Sequence, residues 1–316
     1  MIGIYFLIIL MIIIWSLSFI VVDIAVEIIP PLSLALYRFI VASASFIVLD
    51  IFNKLRKIRK KEINSEDQVT KESINSKNLW ILIIAGSFTG ASLFFFAQYT
   101  AIKLIGPSLP ALFVCLLAPV IISILSLIIF KEKLNSLKIG GFTIASIGSF
   151  LLITGGDLTV LSPASPNFFG YILALLTPFL WALFTIIVKK ISKSSKKSDI
   201  QILKYVSYFG TIELFFFVLI NGELMLFVMN FLNLIIFGCA LYLGLACYIF
   251  GYYIWQNSQK KLKSSKVSSF LYIEPFLTLI FSFLFKRSEQ ILVWNIVGGI
   301  IVLSAVLLIN YDRKKA

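Results

Sequence analysis

Residues 104–130 read LIGPSLPALFVCLLAPVIISILSLIIF, without a single charged side chain. Wound as a helix rising about 1.5 Å per residue, roughly 20 apolar residues cross the 30 Å hydrocarbon core of a bilayer. This stretch is long enough to do so. Six others, 1–22, 78–102, 139–156, 158–188, 224–259 and 290–311, are equally free of charge. Of the 316 residues, 59% are hydrophobic and only 14% charged, against roughly 25% charged in soluble proteins. So few charges cannot cover a soluble surface, which argues against a soluble enzyme. Disorder requires low hydrophobicity and is excluded as well. The alternating segments of about 10 residues that build a membrane β-barrel are absent. The expected fold is all-α and integral to a membrane.

Ten spanning helices are predicted, at 3–26, 31–52, 79–101, 107–130, 136–154, 168–189, 202–221, 231–257, 266–285 and 291–311. Residues 1–22 lack a basic leading segment and a convincing cleavage site, so they read as the first span rather than a signal peptide. With the N-terminus inside, 24 of the 28 Lys and Arg fall in inner loops or the tail, eight of them in the loop 53–78. Only Lys103, Lys286 and Arg287 lie outside, and Arg38 falls within the second span. This asymmetry predicts a multi-pass protein of the cell membrane with both termini cytoplasmic. It also accounts for the net charge of +13 as topology signals beside an anionic leaflet, so no nucleic-acid partner is expected. The chain has no histidine, and its three cysteines (Cys115, Cys239 and Cys247) have no CxxC spacing. No metal site, disulfide framework or cofactor is expected.

The two halves repeat each other. Trp15 matches Trp181, Asp23 matches Lys189 and Arg38 matches Lys204, all 166 residues apart. Pro119 then matches Pro275 at 156, while Glu132 matches Glu289 and Gly141 matches Gly298 at 157. The offset drops where the first half carries its long basic loop. Five helices per half is an odd number, so the second repeat (168–311) enters the membrane from the opposite side to the first (1–154). Inverted repeats are the architecture of many secondary transporters, which hold substrate near the midplane between the repeats.

In order along the chain come Trp15-Ser-Leu-Ser-Phe19, Pro31, Tyr37-Arg38-Phe39, Ala118-Pro119-Val120, Phe130-Lys-Glu132 and Gly140-Gly141. The second half repeats Trp181-Ala182, Glu274-Pro275-Phe276, Glu289 and Gly298-Gly299. This series resembles the EamA-type ten-helix members of the drug/metabolite transporter superfamily over nearly the whole chain. Asp23 departs from the family pattern, where a basic residue is frequent, and Ser16 stands where glycine is common. The resemblance implies a secondary transporter of small metabolites, frequently an exporter of amino acids or related compounds, and not an enzyme. It also implies that helices one, three, six, eight and nine line a central cavity. Helices five and ten would form a peripheral or dimer-forming bundle, which leaves a homodimer open.

Candidate transport residues follow. Glu274 sits near the middle of helix nine, directly before Pro275, where the missing N–H should kink the helix. A cavity-facing carboxylate there would hold a proton or a cationic group; the alternative is a structural hydrogen bond to a neighbouring helix. Glu213, midway along helix seven, is a second proton site or a partner for a hydroxyl donor. Asp23 and Arg38 lie at similar depth on adjacent helices, as a structural ion pair or a gate. Pro119 and Pro275 mark the matched hinge positions. Trp15, Gln98, Tyr99, Trp181, Tyr253 and Tyr272 are the expected wall of a site for a small amphipathic ligand. Trp255 is expected near the inner interface, facing lipid. No Walker motif is present, so coupling would be to protons or to the substrate gradient. A membrane-embedded enzyme would show acidic or histidine residues clustered at one face, and a passive channel has no need of an inverted repeat; these are the alternatives.

Overall fold

The structure is a computed structural model that describes residues 2–60, 76–131, 136–154, 168–195, 197–286 and 293–310. Most of the basic loop 53–78, with Glu132 and Glu289, lies outside the described residues. Eleven helices occupy the described chain: α1 (Ile2–Ala25), α2 (Pro31–Lys60), α3 (Lys77–Ile105), α4 (Ser108–Phe130), α5 (Ser136–Thr154) and α6 (Phe168–Ser194) come first. Then follow α7 (Asp199–Ile220), the short α8 (Leu224–Asn230), α9 (Leu234–Lys261), α10 (Ser264–Leu284) and α11 (Val293–Asn310). No strand occurs among the described residues.

Local chemistry sets the ends. Pro31 opens α2, where its missing N–H costs no helical bond. Ser198 and Gln201 close a capping box on α7, each side chain accepting from the other's backbone N–H. Gly106, at φ 77, ends α3 in a backbone conformation that side chains resist. The apolar stretch expected as one helix over 231–257 begins later, because asparagines divide it. Asn230 donates to the Leu226 carbonyl and finishes α8, and the Asn233 side chain accepts from the backbone N–H groups of Ile235 and Ile236 and starts α9.

Eight of the helices, α1, α2, α3, α4, α6, α7, α9 and α10, are long and apolar enough to cross a membrane. Their outward faces carry large apolar side chains such as Ile128, Phe179, Phe216 and Ile220. Their inward faces bury serines, threonines, glutamines and the charged Arg38 and Glu274. Apolar outside and polar within is the arrangement a lipid solvent imposes, and the chain is a multi-pass membrane protein. Lys138, Lys189, Lys197, Lys204 and Lys260 gather at one end of the bundle. There Lys204 pairs with Asp50 at 2.9 Å and Lys189 donates to Ser264 at 2.5 Å. At the opposite end Ser33 donates to Glu223, and Tyr37 to the Phe231 carbonyl.

The helices interleave by sequence half. α1 packs on α9 and α10, α6 on α3 and α4, α2 on α7, and α5 along α11. Three stretches depart from α-helical geometry. Phe88–Ser92 of α3 and Tyr242–Tyr252 of α9 are π-helical, and Phe270–Ile273 of α10 is a 3₁₀ turn. The turn is explained by Pro275, whose absent N–H leaves the Leu271 carbonyl to the N–H of Glu274, one residue closer.

Gly244 lies where α9 presses on α2. A methyl group at this position would stand 2.7 Å from the Arg38 carbonyl oxygen, a backbone atom that cannot swing away. Gly244→Ala should cost about 1–3 kcal/mol of stability, read as a lower melting temperature in detergent. Gly238→Ala on the same helix, where nothing lies within 4 Å, should melt at or above the parent temperature, because alanine is the better helix former.

Candidate functional site

The π-helical stretch of α9 is the structural source of the site. A π turn spaces its hydrogen bonds one residue wider than an α turn and so aims its carbonyls differently from those of an α-helix. Two such carbonyls receive side chains from the first half. Arg38 donates Nη2 to the Leu243 carbonyl at 2.9 Å, and Trp15 donates Nε1 to the Cys247 carbonyl at 3.0 Å. The matching π stretch of α3 takes a third, from the Tyr252 hydroxyl to the Gly90 carbonyl at 3.3 Å.

Arg38 is buried, with 3% of its surface exposed. Its Nη1 donates to the Tyr99 hydroxyl at 2.5 Å, and its guanidinium carbon sits 4.0 Å from the centre of the Phe95 ring. Its Nε is buried without a hydrogen-bond partner. The outer ion pair expected with Asp23 is not the arrangement found, because the π carbonyl and Tyr99 draw the guanidinium into the bundle.

Arg38 lines a cavity together with Trp15, Gln98, Phe95, Trp181, Cys247, Tyr252 and Glu274. Glu274 is 4% exposed, and its Oε2 lies 3.5 Å from the Cys115 Sγ. The cavity offers about 40 Å³. At 10–15 Å³ per water by this measure, that is room for about three waters.

An aromatic floor closes the cavity toward the lysine-bearing end. The rings of Trp15 and Trp181 meet edge to face at 5.4 Å, and both touch Tyr252 and Trp255 at 5.2–5.8 Å. Phe184 extends this floor against Trp181 and Tyr252. The Trp181 Nε1 is buried without a partner.

The other expected residues fall into three groups. Trp15, Gln98, Trp181 and Glu274 lie on the cavity lining. Tyr99 stands behind it and positions Arg38. Tyr253 and Tyr272 lie elsewhere: Tyr253 is 37% exposed on the outer face of α9, and Tyr272 is fully buried in a separate core with Phe142, Val302 and Val306. Trp255, expected against lipid, is 1% exposed in the aromatic floor, with its Nε1 donating to Thr185 at 3.2 Å. Glu213 accepts hydrogen bonds from Ser87 and Ser92 and ties α7 to the π stretch of α3, away from the cavity lining. Pro119 is buried inside α4, and Pro275 follows the 3₁₀ turn that presents Glu274.

Phe95, Cys247 and Tyr252 belong to the lining without having been singled out in the sequence. Helical spacing was the available signal. Phe95 lies three residues before Gln98, and Tyr252 three before Trp255, on the same helix face in each case. Tyr253 is one position, about 100°, off that face.

The fold and this cavity define a membrane transporter. The chain belongs to the EamA-like transporter family, which it matches over residues 2–154 and 168–311. Among its relatives is an uncharacterized transporter of Archaeoglobus fulgidus, 28% identical over 310 residues and covering 96% of each chain. Another is the uncharacterized transporter YyaM of Bacillus subtilis, 24% identical over 277 residues, with 88% of this chain and 83% of the relative covered. A crystal structure with 15% identity superposes with a TM-score of 0.67, covering 98% of this chain and 96% of the other, and bears on the fold alone.

A hydrogen bond to a charged group contributes about 1.5–3 kcal/mol. Tyr99→Phe should cost that much, because it leaves part of a buried guanidinium without an acceptor. Detergent melts should show the loss; an unchanged melt would mean that Arg38 is held without Tyr99.

Proposed function

We propose that this protein exports small zwitterionic metabolites, amino acids and close relatives, by alternating access of two inverted five-helix repeats. The observation that carries the substrate class is the presence of Arg38 and Glu274 on one small cavity with aromatic walls. Arg38 brings a cation whose Nε lacks a partner, suited to a carboxylate. Glu274 brings a buried carboxylate, suited to an ammonium group. The rings of Trp15, Phe95, Trp181 and Tyr252 fit an apolar side chain and can face a cation.

The packing supports the inverted relation. Exchanging the halves turns the contact of α1 with α10 into that of α6 with α4, and that of α1 with α9 into that of α6 with α3. It leaves the pairs α2–α7 and α5–α11 unchanged. α3 and α9 are counterparts and each holds a π stretch. Trp15 and Trp181 are counterparts and touch each other in the floor. With α5 and α11 as the fifth member of each half, the bundle has ten spans. The lysine-bearing end faces the cytoplasm, beside the anionic leaflet of the cell membrane. Glu274 takes the ammonium of the outgoing substrate and a proton on the return, so that an inward proton gradient drives export.

A thermal-stability panel tests the class. A ligand that binds only the folded state stabilises it by about 2.7 kcal/mol at a hundredfold excess over Kd. Free amino acids should raise the melting temperature, whereas their amides, their N-acetyl derivatives, polyamines, sugars and nucleosides should not. Equal shifts with the amides would remove the role of Arg38. In proteoliposomes, Glu274→Gln should abolish proton-driven flux of the stabilising amino acid; full flux with an unchanged pH profile would overturn the coupling.

A further inference from the structure

Beyond the aromatic floor, toward the lysine-bearing end, lies a second and smaller pocket. It is lined by the α6 residues Thr185, Lys189 and Lys193 and the α9 residues Gln256, Gln259 and Lys260, among others. Its volume is about 10 Å³, near the space of one water. Gln256 and Gln259 are 4% and 2% exposed, and in both the amide oxygen and nitrogen are buried without a hydrogen-bond partner. Native proteins rarely leave buried polar groups unmatched, because each forfeits its bonds to water. Two adjacent cases on one face of one helix call for a partner that this conformation does not supply.

The position of the pocket indicates the partner. Trp255 separates it from the central cavity, and Gln256 and Gln259 follow Trp255 within about one helical turn. Every charged side chain on the lining is a lysine. The nearby Asp199 is engaged by the Ser192 hydroxyl at 2.6 Å and by Lys260 at 3.5 Å. The lysines and the two amide nitrogens match a carboxylate, and the two amide oxygens are left to the ammonium of the same zwitterion.

We propose that Gln256 and Gln259, with Lys189 and Lys193, form a second substrate station that holds the carboxylate of the transported amino acid while the aromatic floor is open. This rests on the transport reading above. The pocket is contracted here because the floor is shut. Opening α6 from α9 at Trp181 and Trp255 would join it to the central cavity and give the amide nitrogens their partner.

The test is the double variant Gln256→Leu/Gln259→Leu in proteoliposomes, with a radiolabelled mixture of the twenty amino acids as the probe. The variant loses no hydrogen bond of this conformation, so its melting temperature should equal or exceed that of the parent. Flux should fall at least tenfold, while the concentration of amino acid needed for half-maximal thermal stabilisation stays within twofold. A lower melting temperature would show that the amides already have partners and would overturn the proposal. Flux at the parent level would overturn it too, leaving the transport reading intact. No flux in the parent protein would sink both. A second variant, Gln259→Cys, reports the charge preference without relying on activity. A sulfonate-bearing methanethiosulfonate should modify position 259 at least tenfold faster than a trimethylammonium one, read by peptide mass mapping. Equal rates, or a faster cation, would overturn the assignment to a carboxylate.

Discussion

The hydrocarbon core of a bilayer offers no water to a buried guanidinium or indole N–H, so each needs an acceptor from elsewhere in the protein. α9 supplies the acceptors from a π stretch of eleven residues, Tyr242–Tyr252, and the donors are Arg38 and Trp15. That exchange holds the rest of the centre in place. The two side chains are held because the Leu243 and Cys247 carbonyls accept from them. A guanidinium would otherwise be expensive at this depth. It is stabilised by a carbonyl, a phenol and the face of Phe95, and the residue still lines the cavity.

The aromatic floor follows from the same anchoring. Trp15 is oriented by its bond to the Cys247 carbonyl and meets Trp181 from the opposite half. Tyr252 and Trp255 complete the contact from the same helix that receives the bond. Edge-to-face and tilted ring pairs contribute about 0.5–1.5 kcal/mol each beyond the area they bury. Several together make a barrier to water and solute, yet each is weak enough to be exchanged for another packing. The floor is built from both halves, and its ring contacts add to the packing of α1 on α9 and α10 and of α6 on α3 and α4.

The periphery has a different character. α5 and α11 pack along each other over a small apolar core, with Gly141 and Gly148 meeting the side chains of Ile309 and Ile301 where a larger residue would not fit. Among the described residues, no charged side chain belongs to this core. It joins the centre through Val120 of α4 and through α10, where Tyr272 points away from the cavity two residues before Glu274 points toward it. Two residues of helix turn a side chain by about 200°, and one helix thereby serves a structural core on one side and a cavity on the other.

The solvent of the protein, its helices and the two matched halves were legible in the sequence, because hydrocarbon imposes length and apolarity on each span separately and duplication leaves its marks at fixed spacing. Trp15, Trp181, Arg38 and Glu274 could be singled out for the same reason: indole, guanidinium and carboxylate groups are costly inside a membrane wherever they occur. Direction is what the sequence could not supply. Whether Tyr252 or Tyr253 faces inward, whether Trp255 meets lipid or Trp181, and whether Arg38 reaches Asp23 or a carbonyl of α9 all depend on the rotation of one helix against another. A π stretch of eleven residues resets that rotation, and no hydrophobic period records it. Those choices belong to the tertiary structure, because they are made by contacts between residues more than 200 positions apart, such as Trp15 with Cys247 and Arg38 with Leu243.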